Sequence, residues 1–303
     1  FEEVYGGLFD GTMPGPRLAG ARMNTLQTVG LNSEDISAMR SMFADNGWNQ
    51  TVLYDQVCDN PPVGCQWAEI PTLASVPRGA GVPALVTADI ASASSNEVAD
   101  DVTIFAPVFQ DMLPRLGTTQ RGEYDDWLSG SGNDLWWYQS CHSHGCGGIC
   151  HTSEGAHFTG WPSYVIDASA MQARAMEWFT FQQDIHGELY HNTTAHLASA
   201  FEDSCDYSGN GDGTLFYPGT PDRIGGTTHI PLPSIRLKLI REGLEDYEYL
   251  RMLSELGEPD TALLAVQTLF QAPWRVTDAS PETLYEVRES LGRRIEELAD
   301  HSD

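Results

Sequence analysis

Lysine is almost missing from this chain: Lys238 is the only one, and every other basic residue is arginine. Bases of either kind are scarce, 16 against 43 acids, which leaves a net charge of -27. A field of that sign repels polyanions, so nucleic acid is not an expected partner. It suits an exported or salt-exposed protein kept soluble by its charge. Long apolar runs are lacking too. No stretch of roughly 18 consecutive apolar residues occurs, so no membrane span is expected. No glycine-rich phosphate loop leads into a helix, and Gly145-Cys146-Gly147-Gly148 does not fit one, which argues against a nucleotide role. The chain opens at Phe1 directly in folded-looking sequence, which reads as a processed or cut start.

What is present is a globular composition, with 41% hydrophobic and 10% aromatic residues. Six cysteines make an even count. Cys58 and Cys65 bracket a short Pro/Gly loop, while Cys141, Cys146, Cys150 and Cys205 form a second group that allows three pairings. Loop surroundings favour disulfides, hence a secreted, periplasmic or cell-surface protein. The run Cys141-His142-Ser143-His144 to Cys150-His151 raises zinc as an alternative, but its spacing fits no ribbon or finger. No metal and no cofactor are expected. Asn49-Gln50-Thr51 and Asn192-Thr193-Thr194 are glycosylation sequons, meaningful only in a eukaryotic host.

Along the chain, short β-type runs alternate with helical stretches. Residues 1–31 read as loops with a strand at Val4–Phe9. A helix follows, with Ser33 as its cap, Ile36, Met39 and Phe43 on its apolar side and Gly47 as its stop. Strands are expected at residues 51–54, ending in Asp55, then at 83–87, ending near Asp89, and at 102–105, 134–138 and 185–190. A helix over 168–183 carries Met171, Ala175, Trp178 and Phe179. Such alternation implies βα units and a parallel sheet.

The expected class is therefore α/β, a (β/α)8 TIM-type barrel of which this chain holds the C-terminal strands and helices, with a helical C-terminal extension. Residues 1–230 form the incomplete barrel portion and residues 231–303 the helices packed on it. Only five or six strands are found, so an upstream segment or a second chain must close the barrel; an open α/β sheet is the alternative. In the extension, Leu237, Ile240, Leu244, Tyr247 and Leu253 form one stripe. The last helix begins at Ser280-Pro281-Glu282 and buries Leu284, Val287, Leu291, Ile295 and Leu298.

Several segments recur in a telling order. Asn46-Gly47-Trp48 precedes a strand ending in Tyr54-Asp55-Gln56, and Leu135-Trp136-Trp137-Tyr138 follows. Then come Arg174 and Trp178, Ile185-His186-Gly187-Glu188-Leu189-Tyr190, and Gly211-Asp212-Gly213-Thr214-Leu215-Phe216-Tyr217-Pro218-Gly219. Pro233-Ser234-Ile235-Arg236-Leu237 runs into Arg241-Glu242-Gly243-Leu244-Glu245-Asp246-Tyr247. In this order, from Gly47 to Leu253, the chain resembles domain of unknown function 4091 and its characterised relatives, the family 123 glycoside hydrolases (β-N-acetylgalactosaminidases). Members usually carry a β-sandwich ahead of the barrel, which this chain lacks.

The resemblance implies a hydrolase of β-linked N-acetylgalactosamine or a related amino sugar, acting on an oligosaccharide or polysaccharide without a cofactor. Its mechanism is retaining and substrate-assisted, the exception to the two-carboxylate scheme. The family's Asp-Glu pair falls on Asp55-Gln56. Asp55 would orient the substrate's acetamido N–H, and the neighbouring Glu would be the acid/base. Gln56 departs from that pattern, because an amide has no proton to give. Three explanations compete: an engineered Glu→Gln change, a natural lectin-like relative, or another acid, with Asp59 nearest. Candidate substrate-binding residues are Trp137, Tyr138, Tyr190, Asp89 and His191. Alternation lets only one of Trp136 and Trp137 face the interior, and His191 stands where the family often has Trp. A non-catalytic carbohydrate-binding protein on the same fold is the second reading.

Overall fold

Short apolar runs become strands here because they are buried on both faces, as in a parallel sheet covered by helices. The computed structural model describes residues 1–14, 19–139, 141, 150, 160–206 and 209–300. The chain divides into two units, Phe1–Pro107 with Gly122–Trp137, and Val108–Arg121 with Tyr138–Asp303.

In the first unit, five strands run in chain order: β1 (Thr25–Gln27), β2 (Val52–Cys58), β3 (Ala84–Val86), β4 (Ile104–Phe105) and β5 (Asp134–Tyr138), which the division cuts before Tyr138. Every pairing is parallel, for example Gln27 with Tyr54, Gln56 with Leu85, Leu85 with Ile104, and Phe105 with Leu135. Ala84, Leu85 and Val86 are completely buried. The α/β class with parallel strands and a helical C-terminal part is as expected.

Three local readings need correction. Residues 4–9 are helix, not strand: α1 spans Glu2–Asp10 and ends at Gly11, whose φ of 78° favours glycine. Its fourfold spacing brings the Phe1 and Tyr5 rings within 5.2 Å, and Phe9 packs on Phe43 and Trp48. These tertiary contacts outweigh the local β preference of Val4 and Tyr5. Helix α2 (Ser33–Asp45) is capped by Asn32 rather than Ser33; the Asn32 Oδ1 accepts from the Glu34 and Asp35 amides at 2.9 and 3.0 Å. Strand β2 does not stop at Asp55 but runs to Cys58, with its register against β3 shifting between Gln56 and Cys58. Two further helices belong to this unit, α3 (Ile70–Gly79) and α4 (Ile90–Ser95).

The second unit is mainly helical. The helix Ala170–Gln182 starts in a capping box between Ser169 and Gln172 and buries Met171, Ala175, Trp178 and Phe179. A short strand, β6 (Gly187–Leu189), follows it and is shorter than the residues 185–190 expected. The helix Ile235–Glu255 buries Leu253 as expected and leaves Leu237, Ile240 and Tyr247 half-buried, but Leu244 is 49% exposed and the polar Arg236 and Asp246 are inside with Gly243 and Leu250. Polar pairing explains the change. Arg174 grips Asp246 in a two-pronged salt bridge of 2.5 and 2.7 Å, and the Trp178 indole N–H adds a third bond at 3.1 Å. At Gly243 the two helices meet so closely that a Cβ would lie 2.8 Å from the Arg174 carbonyl oxygen. Lys238 is exposed on the same helix.

The helix Pro259–Leu269, which the hydrophobic pattern did not single out, precedes the last helix, Pro281–Asp300. Leu284, Leu291 and Ile295 are buried there as expected. Arg288 on this helix reaches Glu242, Glu245 and Asp246. Among the described residues no helix is long and apolar enough to cross a membrane.

Candidate functional site

The register shift in β2 sets the first cluster. In a regular strand, neighbouring side chains point to opposite faces, and a bulge re-aims them. Asp55 and Gln56 are both half-buried. Asp55 Oδ2 accepts a hydrogen bond from the Thr28 hydroxyl at 2.9 Å, and its Oδ1 has no partner among the described residues. Burial raises the Asp55 carboxyl above its usual range, and the Thr28 bond partly opposes this. Gln56 Nε2 donates to Asp59 Oδ1 at 3.0 Å. Thr87, buried on β3's continuation, donates its hydroxyl to the same oxygen at 2.7 Å.

The loop carrying Asp59 is closed by a disulfide between Cys58 and Cys65, as the bracketing of that loop suggested. Nearby, Tyr54 meets Trp136 edge-on at 5.0 Å, and the Trp136 indole donates to Asp134 at 2.9 Å. Trp137 is completely buried, and Trp136 is nearly so. Alternation along β5 therefore does not leave either indole open. Asp89 caps α4: its two oxygens receive the Ser92 amide and hydroxyl, both at 2.7 Å. Both of its oxygens are engaged at the start of that helix.

The second unit holds a separate group of acids. Tyr190 donates its hydroxyl to Asp212 Oδ1 at 3.1 Å and accepts the Gly213 amide at 2.8 Å. Asp212 Oδ2 accepts the Cys141 amide at 3.0 Å. Burial pushes Asp212 up to about 6 despite these bonds. Tyr164, whose ring packs edge-on against Tyr190 at 5.1 Å, donates to both oxygens of Glu188, at 2.8 and 3.1 Å. Burial pushes Glu188 up to about 7, and raises its hydrogen-bonded neighbour Glu177 well above the carboxyl range. Of the two, Glu177 is the one whose protonated form the pairing favours, with Glu188 accepting from it, as when two enclosed carboxyls share a site. Tyr138 is buried, and His191 is exposed.

Sequence reasoning singled out Tyr190 but gave no role to Tyr164, Glu177, Glu188 or Asp212 as acids. Glu188 and Asp212 stood inside quoted motifs; what marks them is burial beside distant partners. Cys150 pairs with Cys205, which resolves one of the pairings left open. His142, His144 and His151, and with them most of the Cys/His run, lie outside the described residues. Asn210 donates its amide to Asp167 at 2.8 Å, and Asp212 is engaged as described.

Comparison with known proteins follows the same lines. The chain matches no curated protein. Among solved structures it is similar to a family 123 glycoside hydrolase from Clostridium perfringens, described through its hydrolysis of glycolipid glycans. The TM-score is 0.58 at 12% identity, over 89% of this chain and 46% of that one. The likeness is one of fold, and the chain spans less than half of that protein's length. Residues 86–253 match the family model for the glycoside hydrolase 123 catalytic domain, a stretch that begins after Asp55 and Gln56. As that match takes in more than half of the residues, the chain belongs to the glycoside hydrolase 123 catalytic-domain family.

Proposed function

We propose that this chain is the catalytic portion of a retaining hydrolase that removes β-linked N-acetylgalactosamine, or a related N-acetylamino sugar, from an oligosaccharide or polysaccharide. The observation that carries the reading is the half-buried Asp55 ahead of the bulge of β2, its Oδ2 steadied by Thr28 and its Oδ1 without a partner among the described residues. A carboxylate so held can accept the substrate's acetamido N–H. It turns the acetamido oxygen toward the anomeric carbon and stabilises the positive charge that develops as the ring closes. Water then opens the cyclic intermediate, and two inversions give net retention.

Gln56 stands at the acid/base position and contributes no proton, so the chemistry here is slow relative to a Gln56→Glu variant. The strands belong to a (β/α)8 barrel whose remainder comes from an upstream segment or a second chain; the 46% coverage of the longer relative supports this. The disulfides fit a secreted, periplasmic or cell-surface location.

One observation favours a second reading. The Gln56 amide is tied to Asp59 and cannot ionise, as in a carbohydrate-binding protein that keeps the cleft without the chemistry. The test is hydrolysis of an aryl β-N-acetylgalactosaminide by this protein, by its Gln56→Glu form and by Asp55→Asn. Gln56→Glu raises kcat/KM by about 10²–10⁴, and Asp55→Asn lowers it by about 10²–10³. Glycan binding without hydrolysis in any form would replace the hydrolase with the binding protein.

A further inference from the structure

Asp59 is the one carboxylate in contact with the side chain of Gln56 among the described residues, and its surroundings orient it closely. The Asn60 amide donates to the Thr87 oxygen at 2.7 Å, so the Thr87 proton is committed to Asp59 Oδ1, also at 2.7 Å. Gln56 must present its NH2, not its carbonyl, to the same oxygen, since a carboxylate only accepts. Oδ1 therefore takes two hydrogen bonds, while Oδ2 has no partner among the described residues, on a side chain that is exposed. The backbone beneath is equally fixed. The Cys58–Cys65 disulfide closes the loop, and the Gly64 amide bonds to the Asp59 carbonyl at 3.0 Å. A Cβ at position 64 would lie 2.0 Å from that carbonyl oxygen, so only glycine fits.

We infer that Asp59 is the acid/base residue of this Gln56-bearing chain, one hydrogen bond beyond the position the family pattern gives to glutamate. The inference rests on the hydrolase reading above. In the first step the acetamido oxygen bonds to the anomeric carbon as the glycosidic C–O bond breaks. The departing oxygen keeps that electron pair and takes a proton from Asp59 Oδ2. The anion left on Asp59 is held by the Thr87 hydroxyl and the Gln56 amide. In the second step Asp59 removes a proton from water as the water oxygen bonds to the anomeric carbon. The oxazolinium C–O bond breaks, and its electron pair restores the acetamide. Asp59 ends protonated, ready for the next cycle.

The experiment compares the parent protein with Asp59→Asn and Asp59→Ala on an aryl β-N-acetylgalactosaminide across pH, with and without sodium azide. Asp59→Asn is expected to lower kcat/KM by about 10²-fold and to remove one limb of the pH profile. Azide is expected to restore turnover in Asp59→Ala and to yield the β-glycosyl azide, a product no merely structural role predicts. Parent-like rates and pH profiles in both variants would overturn the inference and leave the hydrolase reading standing. So would a loss in Asp59→Asn with an unchanged profile and no azide rescue. Turnover by Gln56→Glu alone, with an inert parent, would also confine the chemistry to position 56. Inertness of every form would take both readings down together.

Discussion

The carboxyl groups at the end of β2 and those beside β6 solve opposite problems. At β2, Asp55 and Asp59 are steadied by neutral donors, Thr28, Thr87 and Gln56, and each keeps one oxygen without a partner among the described residues. Beside β6, Glu188 and Asp212 are surrounded by tyrosines and backbone amides, with Glu177 buried alongside, and burial holds all three above their ordinary range. Deeper still, Asp246 stays fully enclosed because two arginines and an indole meet it. A carboxyl with an open, polar neighbourhood can meet a ligand. One that is buried must either keep its proton or find a cation.

The sharpest way to break this contrast is to remove one acid of each kind. Asp246→Ala strands Arg174 and is expected to cost about 3–5 kcal/mol in a urea titration. Asp59→Asn, on an exposed side chain, is expected to change the same midpoint by no more than about 0.5 kcal/mol. Equal losses would mean that the loop of Asp59 is as structural as the ion pair.

Acidity gives the next test. Glu188 at about 7 and Asp212 at about 6 bind their protons more tightly folded than unfolded, where carboxyls titrate near 4. The native state therefore carries the extra protons between roughly pH 4 and pH 7, and raising the pH through that window strips them and lowers stability. From pH 5 to pH 8 the loss is expected to be on the order of 4 kcal/mol. Glu188→Gln should flatten most of the slope, and a slope unchanged in that variant would place its origin elsewhere.

A smaller loss than those of Asp246→Ala and of the pH change is expected at Gly243. Alanine gains helix propensity but meets the Arg174 carbonyl, so the two helices must separate. A net loss of about 1–2 kcal/mol in the thermal or urea midpoint is expected. A stabilised Gly243→Ala would show that the helix contact yields easily and that the ion pair alone sets the spacing.

Much of this was legible from residue order. Buried runs such as residues 83–87 and 134–138 announce strands because apolar β-type residues cluster there between turn residues. The last helix announced itself through Ser280 and Pro281. What stayed hidden depends on partners far away in the chain. Asp246 sits in the charged run Arg241–Glu248 and looks like solvated surface until Arg174 is placed beside it. Glu188 looks like one polar letter in a strand; Tyr164, 24 residues earlier, makes it a proton-holding acid. Residues 4–9 misled because local preference was the only signal, whereas Phe43 and Trp48 decide the outcome. The pairing of Gln56 with Asp59 needed the bulge and the disulfide loop, which no spacing rule encodes.

The near-absence of lysine has a practical consequence. Lys238 is exposed on the helix Ile235–Glu255, and it is the only side-chain amine in the sequence. Arginine's guanidinium does not react as an ammonium does at moderate pH. An amine-directed dye or tether would therefore find one side chain to attach to, the α-amino group being the other amine of a polypeptide. At a pH where the ammonium of Lys238 releases its proton, this side chain is a defined point of attachment, and no cysteine need be added beside the Cys58–Cys65 and Cys150–Cys205 disulfides.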